Sequence, residues 1–240
     1  PAAAPTSDGL RIYDHYRFGD MLDVMLLDDR QYRAHHPCVT DSRTTKRPVD
    51  CAERTRADRS MLGTAQEMWL DTSLAAAKAR WTVIAQQTLM SEVRSSIQGE
   101  RGFMVDRWDG YAASRQRLLD GIVQRRVSNP VVIGGDVHSF WVSDLKRDFA
   151  TKGPVVATEF VGSSVTSNGP AQALVERALA ANPHLKYGRG DKRGYVAMEL
   201  TPQTLTTHFE AVDDIRDPQS AVRRLKSFVV ENGKAGAVPA

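Results

Sequence analysis

An α/β sandwich, with its sheet parallel in the middle and mixed at one side, is the fold class the sequence predicts. Three observations predict it. Short apolar runs alternate with helical patterns from about residue 24 to residue 181, the strand–helix order that builds a parallel sheet with helical cover. Beyond that, "GYVAMEL" and "TLTTHFEAV" alternate apolar and polar residues on either side of "TPQ", the pattern of an antiparallel hairpin. The 240 residues, 41% hydrophobic and 25% charged, suit one large domain with a substantial core and exclude a disordered or fibrous chain.

Each element follows from its residues. Val24–Leu27 in "DVMLLDDRQYR" reads as a buried strand ending at Asp28 and Asp29. Residues 33–60 are a polar excursion. "TAQE" then opens a helix, with Thr64 as the cap and Glu67 reaching back as a capping box, and Leu70, Leu74 and Ala77 follow at helical spacing. "WTVIAQQ" gives a strand around Trp81–Ala85. Residues 88–108, with Gly99 and Gly102, are irregular, and a loop of this length is usually functional or mobile. A second helix from about Ala112 to Arg126 places Leu118, Leu119, Ile122 and Val123 on one face. Asn129 and Pro130 stop it. "VVI" begins a third strand, "GPVVATEFVG" a fourth, "AQALVERALAAN" a third helix, and "SFVVENGK" a last strand.

The net charge of +3, 32 Lys+Arg minus 29 Asp+Glu, is too balanced to imply nucleic acid. The interleaved charges of "DSRTTKRPVDCAERTRADR" read as a solvated loop, with attraction of a phosphate-bearing substrate as the alternative. No apolar run approaches the roughly 18 residues of a membrane helix, and no basic-then-apolar start resembles a signal peptide. "PAAAPTSDG" reads as a frayed or cut end over residues 1–10. The two cysteines, Cys38 and Cys51, share one polar segment, which favours a disulfide and an oxidising compartment. Two free thiols are the alternative, as is a zinc site built from "HHPC" and Cys51, although no CxxC pair is present.

"NPVVIGGDVHSFW" carries the chemistry. In extended backbone, Asp136 and His138 project together from a strand end, beyond a glycine pair that permits sharp turning. A carboxylate and an imidazole suit iron, zinc or manganese, and a two-metal hydrolase uses such donors to lower the pKa of a bound water. A carboxylate capping a turn beside a hydrogen-bonded histidine is the plainer reading. Binuclear sites need about six to eight protein ligands, and the remaining histidines are scattered: His15, His184 and His208 outside "HHPC". This chain alone is therefore expected to lack a closed site.

"MLLDDRQYR", "LGTAQEMWL", "RWTVIAQQTLM", "RWDGYAASRQRLLDGI", "NPVVIGGDVHSFWVSDL", "PVVATEFVGSSVTS", "NPHLKYGRGDKRGYVAMELT" and "SFVVENGK" occur in this order. The series closely resembles the second half of PhoD-like alkaline phosphatases and phosphodiesterases, from about Arg11 to Gly236. The resemblance implies a metallophosphoesterase-like α/β sandwich with a mixed sheet, C-terminal part only, ending in an antiparallel β hairpin, so that residues 1–240 are the C-terminal portion of a single metallophosphatase domain. It implies a periplasmic or secreted enzyme using iron and calcium, with Asp136 and His138 as metal ligands and catalytic residues. A metal-bound hydroxide would attack phosphorus in a phosphomonoester or phosphodiester. The partner it implies is the N-terminal half of the same enzyme, which holds a cysteine, several aspartates and a tyrosine or asparagine as further ligands. No nucleic-acid partner and no membrane span are expected.

Other residues take their place in that picture. Asn182 and His184 of "NPHLKY" are expected at the rim, binding substrate or steadying the leaving group, and Arg30 or Arg33 could meet phosphate through two oxygens. Ion pairs to Asp28 or Asp29 are the plainer reading for the arginines. Asp106 and Asp109 suit a helix start, Trp108 could line the site, and Ser139 and Asp144 could support a ligating histidine. A serine hydrolase is excluded because Thr166 breaks G-x-S-x-G in "GSSVT", and no G-x-G-x-x-G follows a strand. A non-catalytic fragment that structures the enzyme's other half is the rival reading.

Overall fold

The computed structural model describes residues 10–39, 47–97 and 99–240. The expected cut end lies outside them apart from Leu10. In chain order the strands are β1 Asp14–Phe18, β2 Leu22–Leu26, β3 Trp81–Ala85, β4 Ser95–Ile97, β5 Glu100–Gly102, β6 Pro130–Gly134, β7 Phe140–Lys146, β8 Val155–Val161, β9 Leu185–Arg189, β10 Arg193–Leu200, β11 Thr204–Val212, β12 Val222–Glu231 and β13 Val238–Pro239. The helices are α1 Gly63–Ala76, α2 Ala112–Gln124 and α3 Gln172–Ala181.

The main sheet has seven strands in the order β1-β2-β3-β6-β8-β7-β9. β2, β3, β6 and β8 run parallel in its centre. Antiparallel strands flank them on both sides, β1 on one and β7 with β9 on the other. The sheet is thus mixed at both edges rather than one. β1, β7 and β9 were not legible as strands: β1 is a short charged edge strand of the kind that resists stray pairing, and β7 directly follows the GGDVH motif.

Successive residues on the central strands face opposite layers. Met25, Ile84, Val132 and Ala157 pack with Leu70 and Leu74 of α1 and with Leu118, Leu119 and Ile122 of α2. Trp81, Val83, Val131 and Phe160 pack instead against Leu205, Phe209, Phe228 and Val230. These belong to a second sheet, β10-β11-β12-β13, antiparallel throughout. Phe209 sits at its centre, edge-on to Phe140 at 5.4 Å and to Phe228 at 5.9 Å. The predicted hairpin is therefore the core of a separate layer. α3 covers Trp141 and Val161 through Val175, on the side of α1 and α2.

Two local expectations change. α1 begins at Gly63 with Leu62 as its cap residue, and Ser60 Oγ accepts from the Leu62 and Gly63 N–H groups at 3.1 and 2.7 Å. Glu67 accepts from the Ser60 hydroxyl at 2.6 Å, so Ser60 and not Thr64 is the residue paired with Glu67. Val123 is exposed and lies outside the core face of α2.

Asp23, fully buried in β2, ties the edge together. It accepts from His15 Nε2 at 2.7 Å, Arg17 Nε at 2.8 Å and the Lys78 and Ala79 N–H groups. Burial alone would raise its carboxyl, but these hydrogen bonds outweigh burial and hold it well below the usual carboxylate range.

Cys38 and Cys51 form a disulfide across a separation of 13 residues. The bridge consumes both thiols and so overturns the zinc alternative. Reducing it, or combining Cys38→Ser with Cys51→Ser, is expected to lower the unfolding free energy by about 3 kcal/mol. Urea melts with and without a thiol reductant measure this; an unchanged midpoint would show that the bridge does not constrain the unfolded chain.

Candidate active site at the carboxyl ends of the parallel strands

The four parallel strands end along one edge of the sheet, and polar residues begin where each stops: Asp28 to Arg30 beyond β2, Gln86 and Gln87 beyond β3, Gly135 and Asp136 beyond β6, and Gly162 to Ser164 beyond β8. Open α/β sheets bind ligands in this crevice. Gly134 is required there, because a Cβ would overlap the Thr88 carbonyl.

Two glutamines fix the end of β2. Gln66, reaching across from α1, accepts from the Asp28 N–H at 2.8 Å and donates to the Asp28 carbonyl at 2.8 Å. Gln87 accepts from the Asp29 N–H at 2.8 Å and donates to the Leu27 carbonyl at 2.7 Å. Asp28 caps its own turn, accepting from the Arg30 and Gln31 N–H groups, both at 3.0 Å. Asp29 is fully buried, and its Oδ1 accepts no hydrogen bond among the described residues.

Arg30 lies between two carboxylates. Its Nη2 donates to Asp136 Oδ2 at 2.7 Å, and its Nε is 3.5 Å from Asp29 Oδ1. The plain reading, an ion pair with Asp29, is present, and the same side chain also pairs with Asp136. Arg33 Nη1 donates to the Asp106 carbonyl at 3.1 Å.

Asp136 and His138 do not extend β6. Both are left-handed, with φ of 65° and 54°, in a tight turn between β6 and β7. Each costs roughly 1–2 kcal/mol against the usual region for an L-residue, so the turn must be held from outside. His138 Nδ1 lies 3.0 Å from the Asn168 carbonyl. A carbonyl only accepts, so Nδ1 carries the hydrogen and Nε2 keeps its lone pair. Beside the turn, a groove of about 600 Å³ is floored by Val137, Trp141 and Val175, with Arg101, Arg107 and Arg177 on its lining.

Asn182 and His184 are not brought to this place. His184 is buried at the opposite end of β7, where its carbonyl accepts from the Asp144 N–H. That is about 20 Å from the turn at roughly 3.3 Å per strand residue. Its Nε2 is 2.7 Å from the Glu92 carbonyl, and burial pulls its pKa down. Asn182 accepts from the Arg94 N–H at 2.9 Å and donates to the Arg94 carbonyl at 3.1 Å. Both residues clamp the segment around residues 92–94, and the expectation of a rim role is corrected accordingly. His15 and His208 are likewise engaged, with Asp23 and with Ser227 Oγ at 2.8 Å. Trp108 is buried with its Nε1–H on Gln86 Oε1 at 3.1 Å, Asp109 is bound by Arg115 at 2.7 Å, and Ser139 accepts from Trp141 Nε1 at 2.8 Å.

Carboxylate and imidazole donors on one turn fit a metal ion chemically. Among the described residues, no group of three or more His, Cys, Asp and Glu is gathered to hold one. The Asp29 carboxyl is pushed up to about 6, chiefly by burial, with Arg30 as the largest opposing influence. The folded state therefore keeps a proton that the unfolded chain, at about 3.9, has released, so stability falls as pH rises from about 4 to 6. Asp29→Asn is expected to raise the unfolding free energy at pH 7–8 by up to about 3 kcal/mol and to add little at pH 4. Denaturation at both pH values decides it, and equal effects would refute the raised carboxyl.

Gln66, Gln87, Asn168 and Arg193 were missed by sequence reasoning. Only the "QQ" that ends a buried strand carried a signal, since amides at a strand end commonly satisfy loop backbone.

The PhoD-like phosphatase family model matches residues 1–209. Alkaline phosphatase D of Bacillus subtilis (strain 168) is 32% identical over 239 residues, which cover 98% of this chain and 40% of that protein. A solved structure described as "Structure of PhoD" superposes with a TM-score of 0.89 at 31% identity, covering 100% of this chain and 45% of that one. The chain thus spans less than half the length of these relatives. The Asp136–His138 turn and Arg30, gathered at the carboxyl ends of the parallel strands, accompany a match over most of the sequence: the chain belongs to the PhoD-like phosphatase family.

Proposed function

We propose that this chain supplies the Asp136–His138 side of a metal-dependent phosphoesterase centre acting on phosphomonoesters and phosphodiesters. The remaining ligands would come from polypeptide corresponding to the rest of the longer relatives, so that residues 1–240 form the C-terminal portion of one metallophosphoesterase-like domain. The observation that carries this reading is the turn itself: a carboxylate and an imidazole held in left-handed conformations just beyond the carboxyl end of β6, with a guanidinium 2.7 Å from the carboxylate.

Iron and calcium are the ions proposed, on the family's likeness and on a mixed oxygen and nitrogen donor set. When bound, such ions supply a nucleophilic water of lowered pKa and positive charge for the phosphate oxygens. The chain's own residues do the rest. Asp136 offers carboxylate oxygens, and His138 offers Nε2 because Nδ1 is committed to Asn168. Arg30 can turn its fork from Asp136 to an entering phosphate, which it matches through two oxygens. The arginines along the groove favour an anionic substrate. A periplasmic or secreted location is proposed from the Cys38–Cys51 bridge and the family likeness; no helix of the described residues is long and apolar enough to cross a membrane.

The rival, a non-catalytic part that only structures the other portion, draws on the lack of a gathered third donor among the described residues. Hydrolysis of bis-p-nitrophenyl phosphate separates the two. The 240-residue chain alone is expected to be inert and the reassembled enzyme active. In the reassembled enzyme, Asp136→Ala should abolish turnover and lower metal content by elemental analysis, whereas retained turnover would sink the assignment. Arg30→Ala should raise KM about 10–100-fold, as for loss of a hydrogen bond to a charged group, with metal content unchanged.

A further inference from the structure

Arg193, the first residue of β10, is buried yet has no acidic partner among the described residues with which it forms an ion pair or hydrogen bond. Its Nη1 donates to the His138 carbonyl at 2.6 Å, to Ser163 Oγ at 3.0 Å and to Ser164 Oγ at 3.0 Å, and its Nη2 donates to the Gly190 carbonyl. Its hydrogen bonds all go to neutral oxygens, and although Asp191 attracts it through space, burial outweighs that attraction, so the guanidinium is a costly way to fill space. Every one of its acceptors lies on the His138 turn or on the two segments packed against it.

The packing around this centre leaves no slack. A Cβ on Gly169 would overlap the His138 and Gly190 carbonyls and Arg193 Nη2, and one on Gly190 would overlap the Pro170 carbonyl. Ser164 Oγ donates onward to the Ser167 carbonyl at 2.6 Å, next to Asn168, whose carbonyl faces His138 Nδ1. Arg193 thus grips His138 twice: directly by its carbonyl, and through Ser163 and Ser164 by the loop that fixes its ring.

We propose that Arg193 is a positioning residue that holds His138 in its left-handed conformation and as the Nδ1–H tautomer, with the Nε2 lone pair left free for a metal ion. That purpose rests on the function proposed above, but the grip itself does not. Neutral replacement would cut the direct bond. Lysine would keep the charge, but its single nitrogen cannot reproduce the planar fork that reaches four acceptors.

The test reads the tautomer by long-range 1H–15N NMR of the histidine rings in the 240-residue chain. Wild type should show His138 wholly as Nδ1–H, and Arg193→Lys and Arg193→Gln should each shift it to a mixture while His208, bonded to Ser227, stays unchanged. Gly169→Ala, which displaces the His138 carbonyl without removing the charge, should give the same signature and guards against an unfolded Arg193 variant. Millimolar guanidinium added to Arg193→Ala should restore the single tautomer. In the reassembled enzyme, metal affinity should fall on the order of 10–100-fold, the cost typical of losing an outer partner of a ligand. An unchanged His138 tautomer in the folded Arg193 and Gly169 variants overturns the proposal. A shifted tautomer in an enzyme that never hydrolyses phosphodiesters leaves Arg193's role standing and removes the function instead.

Discussion

The main sheet is covered on both faces, and that constraint organises the molecule. Helices lie on one side and the β10–β13 sheet on the other, so β2, β3, β6 and β8 offer no surface along their length where a polar side chain meets water. Chemistry can gather only where those strands stop. The parallel arrangement puts all four stopping points on one edge, which is why Asp29, Gln87, Asp136 and Ser163, far apart in sequence, share a neighbourhood.

Behind that edge lies a second layer of buried charge that serves shape. Glu159 on β8 is fully buried and accepts from the Met90 and Ser91 N–H groups at 2.6 and 2.9 Å, and burial pushes its carboxyl up to about 7. Arg115 binds Asp109 at 2.7 Å, the Met90 carbonyl at 3.0 Å and Glu92 at 3.1 Å. With Asn182 and His184 added, the N–H groups of Met90, Ser91, Val93 and Arg94 and the carbonyls of Met90, Glu92 and Arg94 are all bonded to side chains. A segment that looks free in sequence is among the most tightly bound parts of the fold. Just before it, the Thr88 carbonyl and the Gln86 side-chain amide crowd Gly134 so closely that a Cβ there would overlap both.

The candidate site is built by opposing costs. Two left-handed residues, a buried carboxyl whose Oδ1 accepts no hydrogen bond among the described residues, and a buried arginine hydrogen-bonded to neutral oxygens each raise the free energy of the folded chain. They occur within one neighbourhood, and the remainder of the molecule, with its layered core and its disulfide, offsets them. Their conjunction is what separates this turn from an ordinary strand connection. It also accounts for Arg30: without further ligands from elsewhere, a guanidinium is the cation that keeps Asp136 and Asp29 from repelling one another.

The sequence by itself determined the alternation of strands and helices and the antiparallel hairpin, and it marked the end of β6 by its glycine pair, because hydrophobic period and glycine placement are local properties. "WTVIA" and "PVVIG" could hardly be anything but strands buried on both faces. It also carried the family likeness. Tertiary structure alone decided the rest. Charged or polar strands such as "DHYRF" and "LKYGR" exist only because a neighbour supplies the ladder. Asp136 and His138 were expected side by side on extended backbone, but both are left-handed, with His138 bonded to Arg193 and Asn168 and Asp136 to Arg30, all distant in sequence. His184 and Asn182 have the chemistry of a site, but antiparallel pairing of β7 with β9 carries them to its far end. Spacing along the chain shows which groups could act; only the sheet register and the paths of the loops decide which of them meet.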